Sequence, residues 1–398
     1  MASRTASMPR HLALPRMRSR SSARTRDRRA VLMLLGSTAL LVAVGLLMVL
    51  SASSVSAYED YGSSFLFFNR QAVYALVGLV GLAMAARMHY SAWRRLAIPL
   101  LGICFVLLVM VLHPAAGTVA GGSARWLVIG PVTIQPSEIA KLAVVAFAAA
   151  IITRKWKRLD EPKQIALPLL PVVGAICLLI VIQPDLGTTV IVAGSVFLLL
   201  FVAGVRLRYL ATGALISSLL GLVLVMGEGY RRARLLSFLH PWGDPQNGGY
   251  QIIQSLIALG SGGFSGVGLG TSRQKWGYMP NAHTDFIFSI LGEELGLIGA
   301  IAVLLLFGVL IYSAIRIAAR APDLFGRLLA AGIASWLGLQ TIVNLGAVTG
   351  LLPVTGVPLP LVAYGGSSLV VSLTAVGILV NISRESRRVP AGSGKRKR

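Results

Sequence analysis

Chemistry in this sequence is concentrated between Arg273 and Gly296, in the run RQKWGYMPNAHTDFIFSILGEELG. A cationic approach (Arg273, Gln274, Lys275) leads through Pro280 and His283 to Asp285. An apolar helix begins there and carries Glu293 and Glu294 about two turns in. The whole chain has 14 Asp and Glu, so three acids this close together at the mouth of a hydrophobic segment call for an explanation. Ionisable groups at membrane depth are costly unless paired or hydrated, and mark functional sites by default. A carboxylate there can take a proton from an attacking hydroxyl, while nearby Arg and Lys side chains hold a departing phosphate or diphosphate. The same spacing also fits a simple helix cap at Thr284 and Asp285, with the two glutamates as an internal ion-pair element.

Other segments add polar groups of matching chemistry. Arg125 lies in GSARWLVIG, residues 122 to 130, and Pro136 then opens an apolar segment in which Glu138 and Lys141 share one helical face. A lysine inside a span needs an acid, and Glu138, Asp185, Asp285, Glu293 and Glu294 are the candidates. Asp185 belongs to a tight turn, QPDLGT, of ordinary turn composition. In YQIIQSLIAL, residues 250 to 259, Gln251, Gln254 and Ser255 line one edge of a short helix expected at the membrane interface, facing a cavity. Ser367 and Ser368 follow two glycines and leave hydroxyls and exposed backbone at membrane depth, tolerated only against protein or a wet cavity. Lys275 reads as lying in a wet loop. If these segments converge, they form one cavity with Asp285 as its base, cations at Arg125, Lys141, Arg273 and Lys275, and donors at Gln251, Gln254 and Ser367.

Composition dictates what positions them. With 55% hydrophobic and 13% charged residues and a mean hydropathy of +0.76, the 398-residue chain is too apolar for a soluble domain. Its fold is expected to be an all-α polytopic bundle of ten transmembrane helices, with both termini cytoplasmic. The spans read as roughly 30 to 52, 71 to 86, 97 to 112, 136 to 152, 165 to 182, 187 to 204, 210 to 226, 285 to 315, 326 to 348 and 361 to 382. This orientation puts 29 of the 37 Lys and Arg on the inner side, as the positive-inside rule requires. The net charge of +23 is therefore matched to anionic lipid headgroups rather than to nucleic acid. The first apolar run, Ala30 to Leu50, exceeds the apolar core of a signal peptide and reads as a retained helix. Cys104 and Cys177 both fall inside spans, so no disulfide framework is implied.

The domain reading is a disordered basic cytoplasmic tail over 1–29, a membrane domain over 30–385, and a second basic tail over 386–398. Two outer loops are long, 113 to 135 and 227 to 284. The second contains Gly266, Gly268 and Gly270, a pattern reminiscent of a dinucleotide-binding loop, but no soluble strand and helix flank it.

Six motifs in order resemble the SEDS family (shape, elongation, division and sporulation proteins): Gly122 to Trp126, Pro136-Ser137-Glu138 with Lys141, Pro184 to Thr188, Pro241 to Gln254, His283-Thr284-Asp285-Phe286 with Gly292 to Gly296, and Tyr364 to Ser368. The resemblance spans about residues 30 to 385. It implies a ten-span peptidoglycan glycosyltransferase of the bacterial inner membrane that polymerises lipid II at the outer face, with Asp285 as the essential acid. It places Arg125, Glu138, Lys141, Asp185, Gln251, Gln254, Arg273, Lys275, His283, Glu293, Ser367 and Ser368 as substrate-binding residues. The implied partners are a class B penicillin-binding protein (an FtsI-like transpeptidase), other divisome proteins and membrane lipids. Residues 274 to 283 and 292 to 294 are more similar to the division subfamily, FtsW, than to the elongation subfamily, RodA, although Asn281 and Ala363 depart from the usual pattern. The site is thus expected to act at the division septum. A lipid II flippase is the competing function, and a scaffold leaves the acids unexplained. No cofactor is implied; a divalent cation, Mg2+ or Mn2+, bridging the diphosphate is compatible with these residues. No closed His and Cys ligand set points to a structural metal.

Overall fold

The computed structural model describes residues 20–113, 117–120, 123–130, 132–159, 161–227 and 229–388. In chain order the helices are α1 (Arg20–Tyr61), α2 (Leu66–Arg87), α3 (Ser91–Leu112), α4 (Pro136–Arg154), α5 (Pro162–Ile182), α6 (Leu186–Val202), α7 (Leu207–Met226), α8 (Gly229–Leu239), α9 (Tyr250–Ser261), α10 (Ile287–Ala319), α11 (Leu324–Val348) and α12 (Gly366–Arg388). Each of the ten expected spans is an apolar helix. Eight of them, among the described residues, are long and apolar enough to cross a membrane; α6 and α7 are the shorter apolar pair. The chain is an all-α multi-pass membrane protein. Of the two tails, residues 1–19 and 389–398 lie outside the described residues. The first helix already begins at Arg20, ahead of the expected start at residue 30.

Helices α4, α11 and α12 form the centre, where small residues let backbones approach. Around them α2 packs on α12, α3 on α4, α6 and α10 on α11, and α1 on α10. Proline opens α4 and α5 at their first turn, where its missing N–H costs nothing.

The first long loop, 113 to 135, carries short strands. It folds into an antiparallel sheet of β1 (Gly117–Ala120), β2 (Ser123–Ile129) and β3 (Val132–Ile134), in that order. Leu127 lies opposite Gly117 on one side and Ile134 on the other. This sheet hands Arg125 to the end of the bundle at which α6, α10 and α12 begin. The second long loop holds α8 and the expected interfacial helix α9. Here Ser255 is buried, its hydroxyl within 2.7 Å of the Ser289 hydroxyl and donating to the Val348 carbonyl, so this edge of α9 packs on α10 and α11 instead of facing a cavity. Gln251 and Gln254 remain half-buried.

Candidate active site

Helix α10 starts at Ile287, so its cap position falls on Phe286, which has no capping side chain. Asp285 is thereby left just outside the helix, half-buried, and the cap expected at Thr284 and Asp285 is not formed; the Thr284 hydroxyl instead donates to the Asn281 carbonyl. What fixes Asp285 is α11. The Asn344 amide donates to the Asp285 carbonyl and to the Val357 carbonyl, each at 2.8 Å. One turn earlier, Gln340 donates to the Pro358 carbonyl at 2.9 Å. Two polar side chains on an otherwise apolar helix thus tie the irregular stretch before α12 to the backbone that carries Asp285, satisfying carbonyls that would otherwise be orphaned at membrane depth.

Opposite Asp285 stands Arg125. Its Nε donates to the Gln183 carbonyl at 3.1 Å and its terminal nitrogen to the Pro184 carbonyl, which locks β2 to the α5–α6 turn. Between the two lies Gly356, with φ +72°. A β-carbon there would stand 3.7 Å from both Arg125 Nη1 and Asp285 Oδ2. A guanidinium and a carboxylate thus both reach this glycine at ordinary contact distance, and its positive φ is what disfavours a side chain there.

The other sequence-derived residues divide clearly. Glu138 and Lys141 form the expected buried pair, Nζ to Oε1 at 2.7 Å, each about 1% exposed. Lys141 also donates to Gln340 Oε1 at 2.8 Å, which in turn accepts from Trp336 at 2.8 Å. Lys141 is therefore an interior strut for Gln340 and not a cavity cation: two of its three N–H donors are taken up by buried acceptors inside the bundle. Asp185 is buried and its Oδ1 accepts from Thr188 N at 3.1 Å, so it caps α6 rather than facing substrate. Ser367 accepts from Gln135 N at 3.0 Å and joins α12 to the end of β3; Ser368 is buried beside it.

His283 packs in a cluster of three rings, 4.7 Å from Phe67 and 5.5 Å from Tyr364 between centroids. Burial pushes its pKa well below the usual histidine range, so the ring is neutral and packs the loop. Lys275, expected in a wet loop, is buried and donates to the Gly270 carbonyl, while Arg273 is exposed. Glu293 and Glu294 are also buried, with no ion-pair partner among the described residues; their bonds run to loop atoms at Ser272 and Arg273 and to the Ser51 hydroxyl of α1. Sequence reasoning missed Asn344, Gln340 and Gln71. Gln71 holds the Ala363 carbonyl at 3.1 Å and the Gly365 N–H at 3.3 Å. Their signal is an amide within an apolar span, the same cost argument that singles out the acids.

Among the described residues, no group of three or more His, Cys, Asp and Glu side chains gathers in a way that would hold a metal ion. A sequence model for the family described as "Cell cycle protein" (FtsW, RodA, SpoVE) matches residues 31–388. The chain belongs to this family. It is 47% identical over 357 residues to stage V sporulation protein E of Bacillus subtilis, covering 89% of this chain and 97% of the relative. It is 43% identical over 350 residues to the probable peptidoglycan glycosyltransferase FtsW of Geobacter metallireducens, covering 88% and 93%. Among solved structures, one described as structural coordination of polymerization and crosslinking by a peptidoglycan synthase complex aligns with a TM-score of 0.72 at 32% identity, over 89% of this chain and 97% of that one. Thermus thermophilus RodA aligns at 0.64 and 30% identity, over 89% and 96%. Relatives from sporulation, division and rod-shape maintenance thus all match this member of the FtsW, RodA and SpoVE family.

Proposed function

We propose that this peptidoglycan glycosyltransferase polymerises lipid II into glycan strands, with Asp285 as general base. The observation that carries the reading is the pairing of Asp285 and Arg125 across Gly356. Asp285 takes the proton from the attacking sugar hydroxyl as its oxygen bonds to the anomeric carbon of the donor. The bond from that carbon to the diphosphate breaks, and the electron pair leaves with the polyprenyl diphosphate. Arg125 offers a fixed, permanently charged fork for that leaving charge, and Arg273 adds charge from the loop. Were a divalent cation such as Mg2+ to bind with the diphosphate, Asp285 would be the residue to help hold it, and the ion would supply further positive charge to the leaving group.

Septal action during cell division is supported by the FtsW relatives, with the sporulation relative marking a specialised division as its nearest alternative. The synthase-complex neighbour supports a crosslinking partner of the class B penicillin-binding type. The test is lipid II polymerisation by the purified protein in detergent, with and without such a partner. Polymer from the wild type and none from Asp285→Asn is expected. No polymer under any partner condition, together with lipid II translocation in vesicles, would replace this reading with a flippase.

A further inference from the structure

Helix α10 is broken. At Gly296 the backbone leaves helical space, φ 67° and ψ −166°, which separates an outer piece, residues 287 to 295, from the long inner piece. The groups freed by the break are taken up by the glycine-rich loop after α9. Val267 N donates to the Glu293 carbonyl and Gly268 N to the Glu294 carbonyl, both at 3.0 Å. On the far side Leu297 N donates to the Gly263 carbonyl at 2.9 Å and Ile298 N to the Phe264 carbonyl at 3.2 Å. Gly266, at φ +81°, and Gly296 meet so closely that a β-carbon on either would run into the other's backbone. This accounts for Gly266, one of the three glycines that mimic a dinucleotide loop.

The two glutamates seal the splice. Glu293 Oε1 accepts from Arg273 N at 3.0 Å, and its Oε2 accepts the Ser272 hydroxyl. Glu294 Oε1 accepts the Ser51 hydroxyl of α1 at 2.6 Å and Ser272 N at 3.4 Å. The piece that follows Asp285 is thus held at its far end by loop 263–273 and α1, where an unbroken helix would have used its own next turn.

We propose that Glu293 and Glu294 are positioning residues for Asp285, holding the outer piece of α10 across the break at Gly296. They act through the backbone and touch no substrate. The inference rests on Asp285 being the base. Misplacement of a reacting group by about 1 Å costs on the order of 100-fold in rate, and a nine-residue helical piece transmits tilt at one end to the other.

The experiment measures lipid II polymerisation kinetics and thermal unfolding for Glu293→Leu, Glu294→Leu, the corresponding Gln variants, and the double variant Ser51→Ala with Ser272→Ala. Glutamine keeps one acceptor oxygen, which suffices for Glu294, whose bonds all run to Oε1, so Glu294→Gln should stay near the wild-type rate; Glu293→Gln loses one of two accepted bonds and should fall between wild type and Leu. The Leu variants should lose on the order of 100-fold in kcat with KM for lipid II unchanged. Should the Leu variants fail to fold, the serine double variant decides, with kcat falling and KM constant. A wild-type kcat in folded Leu or serine variants, or a loss carried by KM, overturns the proposal. Absence of polymerisation by the wild type would instead overturn the polymerase reading.

Discussion

Arg125 Nη1 and Asp285 Oδ2 lie on either side of Gly356, each 3.7 Å from the point where a β-carbon would stand. The sheet in the α3–α4 loop supplies one, the approach to α10 the other, and a stretch before α12 the gap between them. Gly356→Ala should therefore put a methyl group in contact with both side chains, beside the reacting atoms. The positive φ adds about 1 to 2 kcal/mol of backbone strain, so a modest drop in unfolding temperature should accompany a loss of roughly 100-fold in polymerisation rate. A variant as active as wild type would place the reacting atoms elsewhere.

Asp285→Asn should abolish most activity without unfolding the protein. Because the cap of α10 falls on Phe286, the substitution removes no helix cap. The loss expected from a missing general base is about 100-fold to 10,000-fold, and it should appear in single-turnover assays with lipid II binding intact. Asp285→Glu, which keeps the carboxylate, should retain more rate than Asn.

Asn344→Leu should mimic a site mutation from inside α11. Two carbonyls, those of Asp285 and Val357, would lose their shared donor, at about 1 to 3 kcal/mol for each group left buried and unpaired. Activity should fall further than stability does. Asn344→Asp, similar in shape but unable to donate when ionised, should do no better; measuring both separates shape from hydrogen bonding.

Lys141→Met and Lys275→Met should both be harmful, in that order. Removing Lys141 strands Glu138 in the bundle, at about 3 to 5 kcal/mol, and leaves Gln340 Oε1 held by Trp336 alone. Removing Lys275 leaves only the Gly270 carbonyl without its donor, about 1 to 3 kcal/mol. Thermal unfolding in detergent ranks them, and equal midpoints would show that the Glu138 pair is hydrated.

The apolar helices and the Glu138 and Lys141 pair are legible because both follow from local rules, hydropathy for the first and helical spacing for the second. Asp185 is half-legible: turn chemistry marks the residue, but only the fold shows Oδ1 on Thr188 N. The sheet around Arg125 is hidden because three short strands between spans leave little alternation to read. Lys275 misleads because its sequence neighbours are polar, while its burial comes from the loop folding back on Gly270. Glu293 and Glu294 stand out as costly charges, yet their partners are backbone and hydroxyl groups of the preceding loop and of α1, which no spacing rule links to them.

The stretch from Val357 to Gly365 has no helix or ladder of its own, only a turn at residues 360 to 362; Gln340, Asn344 and Gln71 hold it from two different helices. Anchors fixed on separate rigid rods set the length of the chain strung between them. Changes of side chain there can be absorbed one at a time, but adding or deleting a single residue would put every later anchor out of step. Variation in this part of the protein is therefore confined to substitution, whereas the exposed turn around Asp244 and Asn247 has room to grow or shrink.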